Sequence, residues 1–204
     1  MNKKERVQPK EGEDKKDSFI AEINAGCTAP IRIVQLDLKK FNNNLIKTVK
    51  DNVGPLNYKS NVKGEMTDWY LNNRYIERLH QLVEENMPIQ PASDENWNVT
   101  LKFIDTWGAI YKHQDYCNVH HHWPYTWSWI YYAQVDDKSS PLILYNIMKE
   151  NNAEIHNIAL QPKTGQLIIF PSFVTHGVDK TQGLGEDEWR IVIAGNIMYH
   201  YEKK

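Results

Sequence analysis

The chain predicts an α+β fold in which helices near the N-terminus buttress one face of a many-stranded sandwich or barrel, and three observations carry that prediction. Helical apolar spacing is confined to the residues before Pro88. From Trp97 onward, short apolar runs alternate with polar turns. Six such runs follow one another, enough to fold back as a sandwich or barrel.

Residues 1–17 mix both charge signs with almost no large apolar groups, so they predict a mobile tail ahead of one domain spanning 18–204. Within it, a helical half is expected at about 39–88 and a β core at about 97–198. The branched run Pro30–Leu38 predicts a strand. Phe41, Leu45, Ile46, Val49 and Val53 recur at helical spacing from Lys39, and Gly54-Pro55 stops that helix. Residues 57–65 are polar and turn-like. Thr67 is the expected cap of a second helix running to Asn86, with Trp69, Tyr70, Tyr75, Ile76, Leu79, Leu82 and Val83 as its apolar stripe. Beyond the polar loop 88–96, strands are predicted over Asn98–Tyr111, Thr126–Gln134, Leu142–Tyr145, Glu154–Leu160, Gln166–Phe170 and Arg190–Met198. No internal repeat or heptad run is present.

Composition excludes several function classes. A formal charge of −2 with scattered lysines disfavours a nucleic-acid surface. No apolar run approaches the roughly 18 residues that cross a bilayer, and no secretory pattern opens the chain, so a cytoplasmic protein off the membrane is expected. Cys27 and Cys117 have no paired spacing and read as ordinary thiols. Five of the seven tryptophans and five of the eleven tyrosines fall between Trp97 and Tyr132, which suits a ligand pocket and a thick core equally well.

Chemistry concentrates at His120-His121-His122 and His176. Side chains alternate along an extended segment, so His120 and His122 share a face and His121 points away, toward an entrance. The segment Gly165–Pro171 is a turn, a buried strand and a proline stop, and it delivers His176 from a rigid element. Three imidazoles suit iron, zinc, copper or nickel and leave coordination positions open. Ordinary core or surface histidines would account for a His-x-His taken alone. Asp115 and Asp179 are fallback carboxylate ligands without suitable spacing, and Arg190, after an acidic run, could be a plain surface ion-pair residue.

These residues, with Ser128-Trp129-Ile130-Tyr131-Tyr132, Pro141–Tyr145, Gly165–Ser172 and Arg190–Asn196, resemble in order and spacing the prolyl-hydroxylase-like 2-oxoglutarate- and Fe(II)-dependent oxygenases. The resemblance covers about residues 98–198. It implies a double-stranded β-helix (jelly-roll, cupin-like) core and the cofactors Fe(II), 2-oxoglutarate and O2. It also implies His120, His122 and His176 as the catalytic iron ligands and Arg190 as the clasp on the far carboxylate of 2-oxoglutarate. Tyr132 donates to that carboxylate in this scheme while Tyr131 faces the other side; Tyr111 and Asn196 complete the expected cofactor-binding set. One departure stands out: His122 occupies a slot that is usually Asp or Glu.

The implied activity is hydroxylation of a small-molecule or peptidyl substrate with release of succinate and CO2. Two other classes stay open: a cupin-like three-histidine metalloenzyme that does not use 2-oxoglutarate, and a noncatalytic ligand-binding β-helix module. The acidic stretch 183–188 would be a hairpin end or lid, and edge strands leave a homodimer open.

Overall fold

The structure is a computed structural model that describes residues 20–25, 29–36, 38–54, 60–148, 155–180 and 189–204. The expected tail, Cys27 and the possible lid at 183–188 lie outside the described residues.

Mostly antiparallel sheet makes up the molecule. The elements run β1 (Ile20–Ala25), β2 (Ala29–Gln35), α1 (Lys39–Asn52), β3 (Val62–Lys63), β4 (Glu65–Met66), α2 (Arg74–Glu85), β5 (Trp97–Tyr111), β6 (Tyr116–His120), β7 (Trp127–Gln134), β8 (Leu142–Met148), β9 (Ile155–Leu160), β10 (Gln166–Pro171), β11 (His176–Val178) and β12 (Arg190–Lys203). A seven-stranded sheet has the order β1-β2-β10-β7-β12-β5-β4, and a five-stranded sheet the order β3-β6-β11-β8-β9. Strands β3 and β4 flank Gly64 and join different sheets, β3 on β6 and β4 on β5, so this short hairpin ties the two layers together.

Side-chain parity on β7 sorts the interior. Trp127, Trp129, Tyr131 and Ala133 pack with the helices, and Tyr131 donates its hydroxyl proton to Asn42 of α1. Ser128, Ile130 and Tyr132 point the opposite way; Tyr132 packs with Leu142, Leu144, Phe170, Val178 and Val192 from both sheets. Helix α1 buries Leu45 and Val49 completely, and α2 buries Ile76, Leu79 and Val83. Each such side chain stabilises the layered packing by roughly 1.5–3 kcal/mol. Helix α1 comes so close to the sheet that a Cβ on Gly108 would meet Val49 at 2.5 Å.

The N-terminal half is less helical than its sequence suggests. Strands β1 and β2 extend the edge of the larger sheet, so the order is not helices first and strands second. The second helix begins at Arg74, where the Asn73 side chain accepts the Tyr75 and Ile76 backbone N–H groups. Thr67 instead accepts the Gly108 N–H with its hydroxyl, and residues 67–71 run as a coil bonded to β5. Trp69 and Tyr70 therefore leave the helical stripe: Trp69 meets Trp107 edge-on at 4.8 Å, and Tyr70 is exposed. A hydrogen-bonding ladder along β5 outcompeted the apolar periodicity.

Gly165 precedes β10 with φ +83°, and a Cβ there would meet the Leu36 carbonyl at 2.2 Å. Its carbonyl accepts Leu36 N–H at 2.8 Å and its N–H donates to Tyr132 at 2.7 Å, so the turn fixes where β10 starts between β2 and β7. No helix among the described residues is long and apolar enough to cross a membrane.

Candidate metal centre

His120 ends β6 and His176 begins β11, and the two are direct partners across that antiparallel pair. His122 lies two residues past His120, its backbone N–H held by the Ser172 carbonyl at 2.8 Å. The ligating nitrogens of the three rings all lie within 4.8 Å of one another, and the Nε2 atoms of His120 and His122 are 3.2 Å apart.

Two of the rings have a fixed tautomer. Nδ1 of His120 is 2.7 Å from the Asn118 carbonyl, and Nδ1 of His176 is 2.9 Å from the Val174 carbonyl. A carbonyl can only accept, so each Nδ1 carries the proton and each Nε2 presents a lone pair. His122 makes no such Nδ1 bond among the described residues; the Trp107 ring flanks it at 5.9 Å. Burial is the main reason that His176 is pushed down to about 3 and His122 to about 2, with the neighbouring imidazoles adding to it. His120 is lowered by the same desolvation. At neutral pH the trio is uncharged, the state in which imidazole binds a metal.

A cavity of about 240 Å³ opens on these rings. At another part of its wall stands Arg190, whose register partner on β5 is Tyr111. Arg190 is 0% exposed, so it is no surface ion-pair residue. Its guanidinium donates to the Ser140 carbonyl at 2.7 Å and to the Tyr132 hydroxyl at 3.4 Å, and lies over the Tyr111 and Tyr132 rings at 5.4 and 5.1 Å. Its Nε has no partner, and no carboxylate among the described residues pairs with it. A sealed cation in that condition is costly unless an anion joins it. Three neutral nitrogen donors and a buried, unmatched guanidinium on one cavity fit a divalent metal bearing an anionic chelate.

The other expected residues divide. Tyr111 lines the cavity beneath Arg190, and its phenol, pushed well up by burial, shares a hydrogen bond with Cys117. Tyr132 reaches the guanidinium but does not line the cavity. Asn196 does not line it either: its amide nitrogen bonds both Asp105 carboxylate oxygens at 2.9 and 3.1 Å, and its carbonyl oxygen accepts the Ser128 hydroxyl at 2.8 Å. It is placed among structural bonds that fasten β12 to β5 and β7. His121 is exposed and accepts Trp123 N–H. Asp115 caps the turn after β5 by accepting Lys112 N–H, and neither it nor Asp179 joins the metal-binding group.

Cys117 is more than a sequence neighbour. It lines the cavity 3.9 Å from His120 Nδ1, with its thiol pushed up to about 11 by burial. Trp107 escaped the sequence reading although its parity with Tyr111 along β5 marks it. Trp69 sits in coil and the Ser140 contact is a backbone carbonyl, so neither left a side-chain signal.

Comparison with known proteins places this geometry. Residues 105–196 match the family model described as "Putative 2OG-Fe(II) oxygenase". No curated protein sequence matches the chain significantly. Among solved structures, the chain is similar to a prolyl hydroxylase from Trichoplax adhaerens in complex with a hypoxia-inducible-factor peptide fragment (TM-score 0.61, 16% identity, 86% of this chain and 84% of that one). It is also similar to the viral collagen prolyl hydroxylase of Paramecium bursaria Chlorella virus-1 in its 2-oxoglutarate complex (0.56, 15%, 82% and 94%). A third is HygX from Streptomyces hygroscopicus with nickel and 2-oxoglutarate (0.58, 8%, 82% and 82%). At such identities the structural likeness establishes the fold. The matched stretch spans every histidine, arginine and tyrosine named in the centre, and through residues 105–196 the chain is similar to the 2-oxoglutarate- and Fe(II)-dependent oxygenases.

Proposed function

We propose that this protein oxidises a C–H bond of an organic substrate, most simply by hydroxylation: 2-oxoglutarate, O2 and R–H become succinate, CO2 and R–OH. In this reading His120, His122 and His176 hold Fe(II), and Arg190 takes the far carboxylate of 2-oxoglutarate with Tyr132 behind it. The two antiparallel sheets around the cavity support a double-stranded β-helix core, and residues 18–204 form one oxygenase domain.

Iron and 2-oxoglutarate, when bound, supply oxygen activation and decarboxylation. The chain's own residues bind, orient and shield. Asn118 and Val174 carbonyls hold two imidazoles with their lone pairs toward the metal. The Ser140 carbonyl and Tyr132 hydroxyl aim the guanidinium, leaving Nε for an incoming oxygen. Leu142, Phe170, Val178 and Val192 make that end of the cavity apolar, which strengthens the charge pairing and keeps water out.

The observation that carries the proposal is the sealed, acid-free Arg190 on the same cavity as the histidine trio. A three-histidine enzyme without 2-oxoglutarate needs no such anchor, and a noncatalytic ligand-binding module needs no histidine trio beside it. Neighbours acting near a peptide or, for HygX, bound with hygromycin B support a peptidyl or small-molecule substrate. Anaerobic titration of 2-oxoglutarate into the Fe(II) protein tests the proposal: a visible charge-transfer band is expected, and its absence in a protein that holds iron overturns it.

A further inference from the structure

The cavity's charge does not balance with 2-oxoglutarate alone. Among the described residues that line it, Arg190 is the one formally charged side chain, and no Asp or Glu takes part. The imidazoles of His120, His122 and His176 are neutral when they ligate a metal. A ferrous ion and Arg190 together bring three positive charges, 2-oxoglutarate removes two, and one remains. A carboxylate at the position of His122 would cancel that last charge.

A second observation points the same way. With Nε2 turned to the metal, a neutral His122 carries its proton on Nδ1. His120 and His176 spend their Nδ1–H on carbonyls, but His122 has no such acceptor among the described residues. Asp105 supplies none either: its oxygens are taken by the Asn196 amide and its backbone N–H and by the Tyr125 hydroxyl. The site thus combines one uncancelled positive charge with an N–H, on the ring that causes it, that no described protein group accepts.

We infer that His122 makes this centre selective for a monoanionic partner: a substrate that brings a carboxylate or comparable anion to the His122 side of the metal. The inference rests on the oxygenase reading and names its substrate class. A neutral substrate would leave charge unmatched in a cavity walled by Leu142, Phe170, Val178 and Val192, where Coulomb energies are large. An anionic one cancels it.

The test uses the full chain loaded with Co(II) under anaerobic conditions, whose visible spectrum reports changes at the metal. 2-Oxoglutarate is added first, followed by acetate or its neutral isostere acetamide at constant ionic strength. Acetate is expected to shift the spectrum saturably and acetamide to leave it unchanged. Chloride is the third arm: acetate binding tighter than chloride points to an organic carboxylate, and equal binding to a free inorganic monoanion, both through the same chemistry. In His122→Asp loaded with cobalt and 2-oxoglutarate, acetate affinity is expected to fall on the order of 10–100-fold. Acetamide acting like acetate on the wild-type protein overturns the inference without reference to any variant, as does unchanged acetate affinity in His122→Asp. A cobalt protein that ignores 2-oxoglutarate overturns the oxygenase reading itself, and does so before any anion is added.

Discussion

Replacing Arg190 by methionine separates its binding role from its packing role. The side chain is fully buried, donates to one carbonyl and one phenol, and leaves Nε free. If it clasps a carboxylate through two charge-assisted bonds worth roughly 1.5–3 kcal/mol each, their loss removes about 3–6 kcal/mol of 2-oxoglutarate binding. At about 1.4 kcal/mol per power of ten, the dissociation constant rises by roughly 10²–10⁴-fold. Calorimetric titration of 2-oxoglutarate into metal-loaded protein measures it directly. The same substitution removes a buried charge that has no acidic partner, so the ligand-free variant should melt no lower than wild type; each 1 kcal/mol gained would raise the midpoint by about 2–4 °C. A variant that binds 2-oxoglutarate within about threefold of wild type refutes the clasp. One that loses binding only because it melts far lower refutes the separation of roles.

His176→Ala deletes one of three ligands, so metal retention after dialysis should fall by more than the roughly 10–100-fold that loss of an outer-shell partner costs; stoichiometric metal in the variant would dismiss the trio. Asn196→Ala removes both side-chain amide bonds to Asp105 and the acceptor of the Ser128 hydroxyl, keeps the backbone N–H bond, and should cost about 2–4 kcal/mol in urea unfolding, with 2-oxoglutarate affinity unchanged within about threefold. Selective loss of cosubstrate binding would restore Asn196 to the cofactor site. His80, stacked on Phe103 and hydrogen-bonded to the Thr106 hydroxyl, is lowered by burial to about 4 from 6.5. Its folded pKa lies below its unfolded one, so the unfolded chain binds the extra proton and stability drops as pH falls from about 6.5 to 4, by up to about 3 kcal/mol. Comparing wild type with His80→Gln at pH 7 and 4.5 isolates that loss; a pH-independent difference between them would assign it elsewhere.

Legibility in the sequence tracked how local the cause was. The alternation that put His120 and His122 on one face depends on consecutive residues, and it survived even though His122 lies past the end of β6. The turn at Gly165 and strands β5, β7, β8, β9, β10 and β12 were likewise visible, because turn chemistry and apolar runs mark them, whereas the short β6 and β11 were not. What failed was set at long range. Residues 67–71 carry a helical stripe but are claimed by β5 backbone groups. Asn196 has the strand parity of Arg190, yet Asp105, 91 residues away, takes its amide. The burial of Arg190 is visible only once Ser140, Tyr111 and Tyr132 surround it, since its sequence neighbours Glu186, Asp187 and Glu188 suggest an exposed pair.

Strand β11 is three residues long and is paired on both sides, with His176 opposite His120 on β6 and opposite Leu144 on β8. Side chains in a strand switch faces with each step, so a single added or deleted residue in the turn 172–175 would aim the third imidazole out of the molecule while leaving both neighbouring strands able to pair. The protein's chemistry is therefore hostage to the length of one four-residue loop more than to its composition. Swaps of side chains there leave the ring in place; indels do not.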